Sequence, residues 1–158
     1  MSATPVSPIV EQSGEGHVLQ FSPSEKLVWK ATAATTGGIM DQFELIATPG
    51  HVGAPEHIHS AVDEFFYVLE GAFRFKVDGK LLTAAAGSFL FVPRGTAHTW
   101  RNGADTTSRM ILTYIPGGME PFFEEASPYM FAANVDLIGL QKVNEKYNTE
   151  IVGPPLSD

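Results

Sequence analysis

Gly50-His51-Val52-Gly53-Ala54-Pro55-Glu56-His57-Ile58-His59, running on to Glu64 and Gly71, is the stretch on which the fold turns. It has a counterpart further on: Gly87, then Pro93-Arg94-Gly95-Thr96-Ala97-His98, then Asn102. His57 and His59 are two residues apart, so on an extended strand both imidazoles face the same way. Glu64 opens the next strand after a short bend, and His98 comes from a distant one. Imidazole and carboxylate together suit a divalent first-row metal. Each residue alone reads more simply as a hydrogen-bonded or solvent-facing side chain.

The flanking segments alternate in the manner of strands. His17–Phe21, Lys26–Ala31, Gln42–Ala47, Glu64–Leu69, Ala72–Val77, Lys80–Thr83, Ser88–Val92, Ala97–Asn102 and Arg109–Ile115 recur about every ten residues, with turn signals between them. Asp78-Gly79 tolerates the positive φ of a tight hairpin. No helical pattern separates the strands, which argues for an all-β sandwich or barrel and against a βαβ sheet. After Pro116-Gly117-Gly118 the character changes. Glu120–Glu125 reads as a short helix with Pro121 near its start. Asp136 reads as the cap of a second helix, with Leu140, Val143 and Tyr147 on one stripe. The expected organisation is a flexible arm over 1–15, a barrel over 16–116, and a C-terminal helical extension over 117–158 that packs on the barrel. The tail from Val152 reads as irregular.

The chain has 158 residues, enough for one sizeable core, and a formal net charge of -8. That sign disfavours nucleic acid and anionic membranes as partners. There is no cysteine, so any metal is held by nitrogen and oxygen, and the composition suits a reducing cytosol. No apolar run is long enough to span a bilayer, and the N-terminus lacks a signal-peptide pattern. A cytoplasmic protein is expected.

The two motifs resemble those of the cupin family. In the first, His57-x-His59 is followed by Glu64 after four residues and Gly71 after six more. In the second, Gly87, Pro93-x-Gly95, His98 and Asn102 match at every spacing. One departure stands out: the family's leading Gly would fall at His51, between Gly50 and Gly53. The resemblance covers roughly residues 40–116 and implies a small double-stranded β-helix (jelly-roll) barrel. It also implies one divalent metal ion (Mn, Fe, Co, Ni, Cu or Zn) on His57, His59, Glu64 and His98. Asn102 is read as a turn or hydrogen-bonding residue.

By the period of two, Phe66 and Val68 follow Glu64 inward, and Trp100 follows His98. Phe43 and Leu45 are expected from the preceding strand, and Met110, Leu112 and Tyr114 from the last. These eight make an aromatic, mostly apolar pocket, unless they are plain core. Phe122 and Phe123 either lid the mouth or pack against the outside. His17, His51, Glu56 and Asp63 read as surface residues. Phe65, Tyr67 and Leu69 point outward and call for cover; with the habit of cupins to pair, this gives an expected homodimer.

The resemblance is to the quercetin-dioxygenase-like branch. It implies a small-molecule substrate such as a flavonol or diketone, O2 as co-substrate, and Glu64 as both ligand and catalytic base. The alternatives are isomerase or lyase chemistry with the same metal and base but no O2, and a non-catalytic binding module for a small ligand.

Overall fold

The computed structural model describes residues 6–130 and 136–157. Residues 1–5 of the expected arm lie outside the described residues; 6–15 carry neither helix nor strand and are exposed. The strands are β1 (His17–Ser22), β2 (Glu25–Ala31), β3 (Asp41–Ala47), β4 (His57–His59), β5 (Asp63–Glu70) and β6 (Ala72–Val77). They continue with β7 (Lys80–Ala85), β8 (Phe89–Val92), β9 (His98–Asn102), β10 (Ser108–Ile115) and β11 (Thr149–Ile151). A single helical turn, α1 (Ala33–Thr36), links β2 to β3, and α2 (Glu120–Met130) and α3 (Leu137–Lys146) follow β10.

Two antiparallel sheets face each other, one ordered β1-β2-β3-β10-β5-β8 and the other β11-β4-β9-β6-β7. This is the jelly-roll barrel that the motifs imply. Alternation sets the inner faces. Phe43, Leu45 and Ala47 of β3, Phe66 and Val68 of β5, Phe73 and Phe75 of β6, and Met110 and Leu112 of β10 are all buried. The β6–β7 hairpin turns on Asp78 (φ 49°) and Gly79 (φ 74°), the paired positive φ values of a type I′ turn. Gly71 (φ 71°) joins β5 to β6, where a Cβ would meet Ser108 Oγ at 2.2 Å, so no larger residue fits.

Two polar residues tie segments together. Asn102 donates to the carbonyls of Ala47, Thr48 and Thr106, and its Oδ1 accepts from Ala104 N and Ser108 Oγ. It is a hydrogen-bonding residue, as its place in the second motif suggests. Asp41, fully buried, accepts at one oxygen from Gly118 N (2.7 Å), Met119 N and Glu120 N (3.0 Å), which satisfies the first amides of α2 from across the chain. That capping places Phe123 against Phe21, Trp29 and Phe43, with ring centroids 5.4, 5.7 and 5.2 Å apart.

Asp136 caps α3, accepting from Ile138 N and Gly139 N, and Leu140 and Val143 of that helix and Tyr147 just after it pack on the core. The extension is more than helical. β11 pairs antiparallel with β4, Thr149 opposite His59 and Ile151 opposite His57, so a strand from the far end of the chain completes the second sheet. No helix among the described residues is long and apolar enough to cross a membrane.

Candidate metal centre and cavity

The short strand β4 buries both its imidazoles and leaves Ile58 on the other face. His57 lies directly opposite His98 on β9, and the two rings are 4.4 Å apart between centroids. Glu64 comes from the facing sheet, at the start of β5, opposite Tyr114 on β10. His57, His59, Glu64 and His98 thus meet between the sheets, each offering a ligand atom, all within 4.8 Å of one another. All four are at most 6% exposed.

The outer nitrogens of the three imidazoles are already engaged. His57 Nδ1 donates to the Pro55 carbonyl (2.7 Å) and His98 Nδ1 to the Thr96 carbonyl (3.0 Å). His59 Nδ1 lies 2.9 Å from Thr149 Oγ1, whose own proton points to the Tyr147 carbonyl, so the imidazole is the donor here too. With Nδ1 protonated, the His57 and His59 rings turn the lone pair of Nε2 inward, while His98 Nε2 donates to Glu64 Oε2 at 2.7 Å, a proton that a bound cation would displace. His59 Nε2 is buried with no hydrogen-bond partner, and lies 3.5 Å from Glu64 Oε2. A buried nitrogen lone pair without a donor, beside a second imidazole lone pair, a third imidazole and a carboxylate, fits a divalent cation.

Electrostatics favour the ligating forms of His57, His59 and Glu64. Burial, then the neighbouring His98 and His59, push His57 down to about 3, so it stays neutral. Burial also lowers His59. Glu64 loses water on burial, which favours its neutral form, but His98, His59 and His57 outweigh this and hold it at about 2. For His98 burial pulls downward, and the Glu64 charge 2.7 Å away, with its hydrogen bond, lifts the imidazole above its usual value. Tyr114 is raised well above the ordinary phenol value, first by burial and then by Glu64, to which it is hydrogen-bonded.

His57, His59 and Glu64 lie on the wall of a cavity of about 710 Å³ between the barrel and the C-terminal helices, and His98 sits just behind them against Glu64. Of the eight side chains expected in a pocket, Leu45, Trp100, Leu112 and Tyr114 line it. Phe43, Phe66, Val68 and Met110 are completely buried and are not part of its wall. Phe43 is covered by Phe123, and Phe66 packs on Phe75 of the opposite sheet at 5.1 Å, so this end of the barrel is filled. Phe122 and Phe123 both line the cavity.

Three contributors escape a reading of the sequence. Thr149 is one of them. Glu25 and His51 are the others, and the expectation that His51 is a surface residue is corrected: it is 5% exposed, with Nε2 3.0 Å from Glu25 Oε2 and Nδ1 2.6 Å from Ser24 Oγ. The signal available was the histidine standing where the family has glycine. Gly50 (φ 73°) takes the left-handed turn one residue early, which frees residue 51 to carry a side chain inward. Glu56 is half-buried and paired with Lys76 at 2.9 Å, and Asp63 points away from Glu64 into a bidentate contact with Arg94. His17 is exposed and meets Glu124 at 3.0 Å.

A two-sheet antiparallel barrel with three histidines and a glutamate gathered inside it defines a cupin. A family model described as a cupin domain matches residues 43–114. Quercetin 2,3-dioxygenase of Bacillus subtilis is 34% identical over 125 residues, which are 77% of this chain and 36% of that protein. Polyketide synthase CurC of Streptomyces cyaneus is 32% identical over 95 residues, 60% of each chain. The chain therefore spans little more than a third of the first relative and 60% of the second. An RmlC-like cupin from Shewanella frigidimarina superposes with a TM-score of 0.62 at 22% identity, over 73% of this chain and 96% of that one. The protein belongs to the cupin superfamily.

Proposed function

We propose that this protein is a metal-dependent dioxygenase that acts on a flavonol-like or otherwise enolisable aromatic or diketone molecule. The observation that carries this reading is the convergence of three imidazoles and the Glu64 carboxylate, all within 4.8 Å of one another, at the edge of a largely apolar cavity. The similarity to quercetin 2,3-dioxygenase supports it. His57, His59, His98 and Glu64 would hold one divalent first-row ion, which supplies Lewis-acid polarisation of a ketone or enolate oxygen and access to O2 chemistry.

The protein's own groups have separable tasks. Leu45, Trp100, Leu112 and Phe123 exclude water and accept the flat face of an aromatic ring. Glu64, held ionised, can take the proton of an acidic enol hydroxyl brought within hydrogen-bond reach. Tyr114, protonated and hydrogen-bonded to Glu64, steadies that carboxylate as its charge changes. The Nδ1 acceptors Pro55, Thr96 and Thr149 keep the imidazoles from rotating.

The test is turnover of a flavonol and diketone panel by metal-loaded protein, with and without oxygen. Oxygen uptake in step with substrate loss supports the reading. Loss of substrate without oxygen uptake replaces it by isomerase or lyase chemistry, in which Glu64 moves a proton on a polarised carbonyl. The similarity to a protein of polyketide synthesis favours that second reading, since polyketides are rich in enolisable ketones. A ligand that raises the melting temperature and is never consumed leaves a binding module.

We further propose that the protein works as a cytoplasmic homodimer. The outward faces of the edge strand β8 and its neighbour β5 place Phe65, Tyr67, Phe89 and Phe91 together, with Phe65 and Phe91 4.8 Å apart, and the last three of the four are 46%, 61% and 50% exposed.

A further inference from the structure

We propose that Glu25 is a second recognition point in the cavity: the acceptor for a phenolic hydroxyl that the substrate carries away from its enol or ketone oxygens. The proposal deepens the function given above and rests on the cavity being the substrate site.

Glu25 opens β2 and its side chain lines the cavity, although it is only 5% exposed. The wall around it is apolar, with Phe21, Leu45 and Trp100 among its members. Burying a carboxylate in such surroundings is costly unless it is paired, and an apolar residue of similar size would serve the fold as well or better. Among the described residues its close polar neighbour is the His51 imidazole, with Nε2 3.0 Å from Oε2 but not aligned for a hydrogen bond. Among the described residues no hydrogen bond reaches its other oxygen, whose acceptor capacity faces whatever occupies the cavity. His51 is itself the departure from the family's motif: a turn glycine is replaced by a buried imidazole, packed on Trp100 at 5.5 Å and backed by Ser24. The unusual imidazole behind this wall therefore lies against its one unusual carboxylate.

Its position complements the metal centre. Glu25 is level with Ala47 and Ser108 in the six-stranded sheet, and Glu64 is level with Tyr114 and Asp41. The two rows are six residues apart along β3 (47 against 41). They still address one chamber: Glu25, Glu64 and Tyr114 all line the same cavity. A flat molecule can offer enol and ketone oxygens to the histidine end and a hydroxyl donor to Glu25. Polyhydroxylated bicyclic or tricyclic aromatics are the class that fits.

The test uses zinc-loaded protein, which binds without redox turnover. Three probes are titrated by tryptophan fluorescence and calorimetry: quercetin, with remote phenolic hydroxyls; unsubstituted flavonol, with only the enol–ketone pair; and dihydroxynaphthalene, with hydroxyls only. Glu25→Leu is expected to weaken quercetin and dihydroxynaphthalene by about tenfold or more and to leave flavonol unchanged. Glu25→Gln, which keeps volume and an acceptor oxygen, falls between. Zinc content is the same in all three proteins. Equal effects on quercetin and flavonol, no effect on either hydroxylated probe, or failure of both hydroxylated probes to bind the wild type would overturn the proposal. Should Glu25→Leu not fold, the pattern in Glu25→Gln decides. If no flavonol is consumed and yet dihydroxynaphthalene binds in a Glu25-dependent way, the dioxygenase reading falls and this one stands.

Discussion

Thr149 Oγ1 and His59 Nδ1 lie 2.9 Å apart across 90 residues of chain. The hydroxyl is buried, 5% exposed at the residue level, and passes its own proton to the Tyr147 carbonyl. Thr149→Val keeps the shape and removes the acceptor, so the His59 ring is free to turn or change tautomer. Metal affinity is expected to fall about 10- to 100-fold while the fold is kept, and Thr149→Ser is expected to restore most of it. Competition with a chelating dye measures this directly. Unchanged affinity in the valine variant would leave Thr149 with a packing role only.

Removal of metal is expected to destabilise the protein. Binding to the folded state alone, at about a hundred times the dissociation constant, is worth about 2.7 kcal/mol, or about 5–10 °C in a chain of this size. Thermal melts with and without EDTA should show that difference in wild type and none in His98→Ala or Glu64→Gln.

Phe123 anchors the C-terminal helices over the barrel. It is 7% exposed and also lies 6.2 Å from Tyr114 and 5.0 Å from Phe122. Phe123→Ala is expected to cost about 3–5 kcal/mol in unfolding free energy, measured in denaturant, because the cavity left among rigid aromatic neighbours collapses poorly.

A pH-dependent contact joins α2 to α3. Glu125 accepts from Lys146 Nζ at 2.7 and 2.8 Å and from Tyr147 Oη at 2.7 Å, and these hold its carboxyl below the ordinary 4.5. A group lowered in the folded state stabilises above its unfolded value and loses that contribution as pH falls through the folded one. The melting temperature of wild type should exceed that of Glu125→Gln at neutral pH, and the gap should close as the solution is acidified below about 4.5. The pair is exposed, so added salt should shrink the gap as well.

The proposed dimer face gives a fifth expectation. Phe91→Glu places a charge amid Phe65, Tyr67 and Phe89. It should shift the protein to monomer in sedimentation equilibrium with no loss of metal content; a wild-type monomer across the concentration range would remove the dimer.

Much of the barrel and the meeting of the four donor residues were legible because both are written in short-range spacing. The His57-x-His59 pair, the Asp78-Gly79 turn and the alternation in β3, β6 and β10 are local rules. What escaped depends on partners far away. Thr149-Glu150-Ile151 is a strand only because β4 offers an edge, and nothing in three such residues announces it. His51 as a lone histidine reads as surface until Glu25 is placed beside it. Periodicity told which way Phe43 and Leu45 point, but not that Phe123 would cover the first and leave the second on the cavity wall.

The pairing of β11 with β4 also has a bearing on biogenesis. A chain emerging from the ribosome presents the first histidine pair about 90 residues before the hydroxyl that aligns one of them. The donor cluster cannot reach its final geometry until β11 has been made, so loading with an ion should follow synthesis of Thr149–Ile151 and not accompany that of the earlier barrel strands.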